Sequence, residues 1–180
     1  MISCPYCGTT SFLSDKAAQA TSGTGEMHEA PQLISLGTRV VIHGTAYLPI
    51  GHARFSYGRG EWDEYWVETD QGGPAWISVD EGDVAIQRAV EPSLAPTLTD
   101  MPFMGTTIGI GQTDYTVSEI ETARCIALRG LFGEVLALNQ TYRFVNCTGP
   151  RGTLLSGEVS ADGWAWFLGR WVDPFRVRAA

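Results

Sequence analysis

The chain has 180 residues, of which 44% are hydrophobic and 18% are charged, so its length allows one large domain or two small ones. Its net charge is −8 with only 12 Lys and Arg, which argues against nucleic acids and anionic lipid surfaces as direct partners. It has no apolar run of roughly 18 residues, so we expect no membrane insertion. The 21 glycines and 6 tryptophans favour strands and tight turns over helices.

The first 32 residues are predicted to form a short irregular leader and a linker. The leader begins MISCPYCGTTSF, which has neither the basic nor the apolar region of a secretory signal. Residues 13–32 are small, polar and glycine-bearing, as linkers are. The chain has 4 cysteines, two of them in a CxxC motif, which suits a reducing compartment. We therefore expect a cytoplasmic protein.

The CPYCG motif resembles half of a zinc-binding knuckle. Cys4 and Cys7 are spaced so that both thiolates can bind one zinc ion, but a structural zinc site needs four ligands. No second CxxC follows, and His28 is the only nearby third candidate. Cys125 and Cys147 fall in predicted strands and are interpreted as small buried hydrophobic residues. The motif is thus either a remnant that binds no cofactor or a zinc site shared between two chains.

Residues 33–90 are predicted to be a first β unit of about five short strands. RVVIH at 39–43 and AYLPIGHARFSY at 46–57 predict a hairpin. Three more strands are predicted at 62–69, 74–79 and 84–90, with Trp76 and Ile77 both buried. Turns at intervals of roughly 8–12 residues are typical of a small barrel or sandwich.

A proline-rich linker at 91–103 and a second β unit at 104–180 complete the predicted organisation. The second unit has predicted strands at 115–128, 141–147, 153–159, 164–169 and 174–178. LFGEVLAL at 131–138 is the only segment in this unit whose pattern allows a helix.

The two units resemble each other along the chain. LGTRVVIHGTAYLPIG at 36–51 lines up with MGTTIGIGQTDYTVSE at 104–119, which matches Tyr47 with Tyr115. We therefore predict an all-β chain of two tandem, duplicated, small barrel-like or sandwich-like units. The alternative is that two β meanders share their turn residues by chance.

The most distinctive run is GEWDEYW at 60–66, which interleaves acidic residues with large aromatic ones. On a strand, Trp62, Glu64 and Trp66 face one side, and Asp63 and Tyr65 face the other. A half-buried strand is the simpler interpretation, and a protein-binding face is the functional one, because aromatic residues concentrate at interfaces. Paired-carboxylate catalysis would need a cleft and a partner acid that the sequence does not place.

The first unit has a series of glycine, aromatic and acidic positions in a fixed order: Gly37, Gly44 to Tyr47, Gly51, Trp62 to Tyr65, Gly72-Gly73 and Trp76-Ile77. In this pattern the chain resembles the bacterial domain-of-unknown-function family 4178 (DUF4178) over about residues 30–178. Members often carry a zinc ribbon with two CxxC knuckles ahead of this region. CPYCG resembles the first knuckle, and the second is absent. The resemblance implies an accessory protein of the kind encoded beside membrane-stress and polyamine-synthesis genes, and it implies no enzymatic activity.

We therefore expect a non-enzymatic bacterial accessory protein that binds another, unidentified protein and is able to dimerise. The histidines His28, His43 and His52 have no metal-binding spacing, and the chain has no recognisable catalytic motif. The alternative is an enzyme or small-ligand binder with its site between the two β units. A deep pocket between the units, lined by convergent polar groups, would favour that alternative.

If zinc is shared between chains, purified protein should contain about half a zinc ion per chain, because two copies of Cys4 and Cys7 supply the four ligands of tetrahedral zinc. The dimer should then dissociate when a chelator is added or when Cys4→Ser is introduced. Elemental analysis and size-exclusion chromatography measure both effects. Protein without zinc, or with one full zinc per monomer, contradicts the shared site.

Overall fold

A computed structural model describes the backbone of residues 2–3, 10–14, 17–20, 32–70, 72–160 and 163–180, with side chains from residue 32 onward. The predicted zinc ligands Cys4 and Cys7, and also His28, lie outside the described residues. Three short antiparallel strands of the leader form a sheet of their own: β1 (Ile2–Ser3), β2 (Thr10–Ser14) and β3 (Ala17–Ala20).

Eleven further strands form one antiparallel sheet, which confirms the predicted all-β class. The strands are β4 (Val40–Ile42), β5 (Thr45–Ser56), β6 (Glu61–Thr69), β7 (Ala75–Asp80), β8 (Asp83–Ala89), β9 (Thr107–Ile110), β10 (Thr113–Gly130), β11 (Thr141–Thr148), β12 (Thr153–Ser160), β13 (Gly163–Val172) and β14 (Arg178–Ala179). Two short 3-10 turns, Pro150–Gly152 and Pro174–Arg176, are the only helical segments in the described part of the chain.

Eight of these strands close into a barrel, in the order β5, β6, β7, β8, β13, β12, β11, β10. Closure comes from pairing between β5 and β10, which runs from Gly51 opposite Gly130 to Phe55 opposite Cys125. The predicted tandem units are therefore not two separate closed barrels, because each supplies four strands to one shared barrel. An eight-stranded barrel has an interior just wide enough to be filled by side chains or to hold one small ligand.

The first parts of β5 and β10 extend beyond the barrel and carry similar hairpins. Val40 of β4 lies opposite Tyr47 of β5, and Ile108 of β9 lies opposite Tyr115 of β10. The next pairing, β5 with β6 or β10 with β11, is interrupted by a bulge two residues after each tyrosine. Tyr47 and Tyr115 therefore lie at similar positions relative to the hairpin and the bulge of their own strands.

Hydrophobic residues form one cluster inside the barrel and two outside it. The inner cluster includes Phe55, Trp76 and Tyr142. One outer cluster packs the hairpin of β4 and β5 against the outer face of β6 to β8. The other packs the hairpin of β9 and β10 against β11 to β13. Cys125 and Cys147 are fully buried, in agreement with their prediction as buried hydrophobic residues.

The C-terminal segment differs from its predicted strand at 174–178. Pro174–Arg176 forms a 3-10 turn, and only Arg178–Ala179 pairs as a strand, with β4. The carboxylate of Asp173 accepts a hydrogen bond from the backbone N–H of Phe175 at 3.0 Å, which stabilises the turn. The last strand therefore returns to the first half of the chain.

Trp76→Ala should lower the free energy of unfolding by about 3–5 kcal/mol, because the mutation removes a large buried ring. Trp76 is 3% exposed and packs against Trp66 and Phe132, and Ile77 beside it is also buried, as predicted. Urea unfolding measures the change, and Trp171→Ala is the matched control because Trp171 is 44% exposed. A loss below about 1 kcal/mol for Trp76→Ala would show that this ring is dispensable for the fold.

Candidate functional site

A cavity of about 350 Å³ lies inside the barrel and is lined by both halves of the chain. Apart from Gly157, the strand residues of its wall alternate along each strand, because successive side chains of a strand point to opposite faces. The strand residues are Trp62 and Glu64 on β6, Trp76, Ser78 and Asp80 on β7, Asp83, Ala85 and Gln87 on β8, Glu119 and Glu121 on β10, Phe144 and Asn146 on β11, Leu154, Ser156, Gly157 and Glu158 on β12, and Phe167 and Trp171 on β13. The cavity thus lies between the two predicted units.

The connection between β10 and β11, residues 131–140, fills one end of the barrel. Phe132 and Leu136 are buried in the inner cluster, and Glu134 lines the cavity. The segment is irregular rather than helical, although its sequence pattern allows a helix. Gly133 lies so close to the Trp66 ring that a side chain at this position would collide with it. This tight contact holds the irregular segment against the barrel.

The other end of the cavity is open and carries most of the exposed lining residues. The turn between β5 and β6 contributes Arg59, and the turn between β7 and β8 contributes Glu81, close to Asp83 at the start of β8. Arg59 Nη2 lies 3.2 Å from Glu121 Oε2, so this ion pair joins the turn to β10. The pair is a surface one, with Arg59 80% exposed, and it contributes little to stability.

The lining is strongly acidic. Among the described residues that line the cavity, the acidic members are Glu64, Asp80, Glu81, Asp83, Glu119, Glu121, Glu134 and Glu158, and Arg59 is the only basic one. Such a concentration of one charge within walls of low dielectric raises the local concentration of counter-ions. The cavity is therefore electrostatically suited to a positively charged occupant.

Glu64 is an acid of the barrel wall whose pKa is raised although it accepts two hydrogen bonds. Its Oε1 accepts bonds from Trp62 Nε1 at 3.2 Å and from Ser78 Oγ at 3.3 Å. Burial raises the pKa of Glu64 to about 7; the charge of Glu134 adds to this effect, and the two hydrogen bonds oppose it. Glu64 therefore exchanges a proton near neutral pH.

Glu158 and Glu134 share the same space. Burial raises the pKa of Glu158 to about 8, and the charges of Glu64 and Glu134 contribute. Burial also raises the pKa of Glu134, against the hydrogen bond that Trp76 Nε1 donates to its Oε1 at 2.7 Å. Because the three carboxyls repel one another when ionised, they titrate as a coupled group.

Two acceptor atoms in the wall have no partner among the described residues. Gln87 is 8% exposed and donates from Nε2 to Ser78 Oγ at 3.4 Å, but its Oε1 is unpaired. Asp80 Oδ1 is also buried and unpaired. A buried polar atom without a hydrogen bond costs about 1–3 kcal/mol. Both residues line the cavity, so its wall contains two hydrogen-bond acceptors that the described part of the chain does not satisfy.

The five residues predicted as a protein-binding face do not share one face. Trp62 and Glu64 line the cavity, and Trp66 packs against Trp76 at its closed end. Asp63 and Tyr65 point to the outside of the barrel wall, where Tyr65 is 1% exposed in an outer cluster. The alternation predicted from the sequence is confirmed, but the residues form no common exposed surface. A protein partner stays a prediction.

On the outer face, Asp63 is the centre of a polar network with His52 and Arg54. His52 Nε2 and Arg54 Nε both lie 2.8 Å from Asp63 Oδ1. Burial opposes ionisation of Asp63, but the hydrogen bonds from His52 and Arg54 outweigh it and lower its pKa. His52 is buried and stacks on Tyr65 at 4.3 Å, as expected of a structural histidine.

Sequence reasoning missed Glu134, Glu158 and Gln87. A usable signal exists for Glu158 and Gln87, because each occupies the same strand phase as an inward-facing neighbour: Ser156 on β12 and Ala85 on β8. Glu134 has no such signal, because it lies outside any strand. No group of three or more His, Cys, Asp or Glu side chains in the described ranges is arranged to hold a metal ion.

The model of the family described as a domain of unknown function, DUF4178, matches residues 35–174. The chain belongs to the DUF4178 family. The match spans all strands from β4 to β13 and so includes the whole barrel and cavity of this DUF4178 protein. No curated protein and no solved structure gives a significant match. None of the helices in the described ranges has the length and apolarity needed to cross a membrane.

Removal of the Glu64 and Glu158 charges should stabilise the DUF4178 barrel at high pH. Both carboxyls have folded-state pKa values above their ordinary value, so the folded state binds more protons and loses stability as pH rises from about 4.5 to 8. The unfolding free energy of Glu64→Gln/Glu158→Gln minus that of the wild type should therefore be higher at pH 8.5 than at pH 4.5, by about 1–3 kcal/mol.

Urea unfolding across this pH range measures the effect. Glu68→Gln is the matched control, because Glu68 lies on β6 but is exposed and does not line the cavity. If the double variant and the wild type have parallel stability profiles, burial does not perturb these two carboxyls.

Proposed function

We propose that this protein is a small-ligand-binding barrel whose ligand occupies the cavity between the two halves of the chain. The carrying observation is the interior space of about 350 Å³ with unpaired polar atoms in its wall. Ligand sites in proteins typically measure roughly 300–1,000 Å³ and combine apolar walls with a few polar groups. This cavity matches both features.

The composition of the wall supports the proposal on energetic grounds. A barrel interior that served folding alone would be most stable when filled by apolar side chains, because a buried polar or charged group loses its hydration. Here Glu64, Glu134 and Glu158 all have raised pKa values, so each makes the empty barrel less stable at neutral pH. A bound ligand that pairs with these groups would offset that loss.

The aromatic part of the wall is held in place by its own packing. Trp62 stacks on Phe55 with ring centroids 5.2 Å apart and contacts Phe144 edge to face at 5.1 Å. Trp76 is fixed between Trp66 and Phe132. A pre-formed wall favours binding, because little side-chain freedom is left to lose when a ligand enters.

We also propose that the barrel consists of two copies of one five-stranded unit, within residues 33–90 and 104–180. The strand registers support this, because the pairing of β6 with β7 in the first unit has a counterpart in the pairing of β11 with β12 in the second. Trp66 lies opposite Trp76, and the counterpart pair is Asn146 with Ser156. The cavity then lies at the seam between the copies.

The seam is asymmetric in its chemistry. Glu64 lies opposite Ser78 in the first unit, and the counterpart pair in the second unit is Phe144 opposite Glu158. The first unit thus contributes Glu64 and the second contributes Glu158, and the two acids do not occupy counterpart positions. An asymmetric lining suits a single ligand bound in one orientation.

The ligand-binding role predicts saturable binding of a neutral fluorescent probe, N-phenyl-1-naphthylamine, whose emission rises in apolar surroundings. Ala85→Phe should weaken this binding by at least about tenfold, because Ala85 lines the cavity and a phenyl ring would occupy part of its volume. Thr122→Phe is the control, since Thr122 is exposed on β10 and does not line the cavity.

Urea unfolding of both variants establishes that they fold. Equal probe affinity in the wild type, Ala85→Phe and Thr122→Phe would place the probe outside the barrel. Absence of saturable binding to the wild type would contradict the proposal, and identification of a co-purified molecule by mass spectrometry, lost in Ala85→Phe, would support it.

A further inference from the structure

On the basis of the proposed ligand-binding role, we infer that the ligand is an organic ammonium ion, whose N–H groups reach the carboxylates inside the barrel. In the part of the chain that the structure describes, the cavity wall has eight acidic residues and one basic residue. Glu64, Glu134 and Glu158 lie within the barrel wall or on the segment that fills its end. When these groups are ionised, a neutral or anionic ligand would leave them without a counter-charge.

The unpaired atoms of the wall independently point to a donor. Gln87 is nine-tenths buried, and its Oε1 lacks a hydrogen bond among the described residues. Asp80 Oδ1 is the other unpaired atom of the lining, and it is also an acceptor. An ammonium group has only donors, which matches a wall whose free atoms are acceptors.

The aromatic side chains complete the chemistry of such a site. Trp62, Trp76 and Phe144 line the same space as the carboxylates. The faces of aromatic rings attract cations, more strongly when water is excluded. Trp62 also donates its indole N–H to Glu64, which orients both side chains toward the cavity. Carboxylates and aromatic rings in one enclosure favour an organic cation over an uncharged molecule.

A metal ion fits this wall less well. Metal sites need several oxygen, nitrogen or sulfur ligands within a single coordination sphere. The described residues contain no group of three or more His, Cys, Asp and Glu side chains with that arrangement. The acidic groups are instead distributed from the mouth, at Asp83 and Glu119, to the closed end, at Glu134. This distribution suits an extended organic molecule.

Three probes of equal chain length and different charge test the inference: n-hexylammonium, n-hexanol and n-hexanoate. Calorimetric titration of the full chain at pH 8.5 should give an affinity for hexylammonium at least tenfold above that for hexanol, and no detectable binding of hexanoate. Glu64→Gln/Glu158→Gln should lower hexylammonium affinity at least tenfold and leave hexanol affinity unchanged. Gln87→Leu should also lower hexylammonium affinity, because it removes the acceptor Oε1.

Glu68→Gln separates specific binding from general attraction to a protein of charge −8, because it removes one exposed negative charge outside the cavity. Hexylammonium affinity equal in the wild type and in Glu64→Gln/Glu158→Gln would place the cation elsewhere and overturn the inference. Hexanol affinity equal to that of hexylammonium, with both displacing N-phenyl-1-naphthylamine, would overturn the ammonium assignment and leave the ligand-binding barrel intact. If none of the four probes binds, both proposals fall.

Discussion

The pairing between β5 and β10 is the interaction on which the rest of the structure depends. It joins the two ends of an eight-stranded sheet and turns an open surface into an enclosed interior. Gly51 and Gly130 lie opposite each other at one end of this pairing. A side chain at position 51 would collide with the backbone of Leu131, and a side chain at position 130 would collide with the backbone of Ile50. Without closure, the inward-facing residues of both halves would be open to water. Their pKa values, their packing and the cavity all follow from this pairing.

Local sequence patterns predicted most of the strands, since alternation of polar and apolar residues requires only neighbouring positions. The hairpins around Tyr47 and Tyr115 and the burial of Trp76 and Ile77 were accessible in this way. Barrel closure was not, because Phe55 and Cys125 are far apart in sequence and their pairing depends on the whole sheet. The irregular course of residues 131–140 was also missed, because it is determined by contact with the barrel interior rather than by helix-forming preferences.

The candidate site was partly visible for the same reason. The strand phase of Trp62 and Glu64 was evident, but an acidic residue at an alternating position is ordinarily interpreted as facing solvent. Only the closed barrel converts that face into an interior and assigns Glu64 and Glu158 to one enclosure. Glu134 enters this enclosure from a connection between strands, so no periodic pattern marks it. Prediction therefore ends where residues from distant strands meet.

Two separate outer clusters allow the barrel to tolerate its acidic interior. The hairpin of β4 and β5 packs against β6 to β8 and Val172 of β13, in a cluster that includes Tyr47 and Tyr65. The hairpin of β9 and β10 packs against β11 to β13, in a cluster that includes Tyr115 and Val145. Burial of this apolar surface stabilises the fold without contribution from the residues that line the cavity. Substitutions at the seam can therefore alter the polarity and charge of the interior while each outer cluster stays intact. A fold built in this way can lose stability at its site and retain the architecture that positions it.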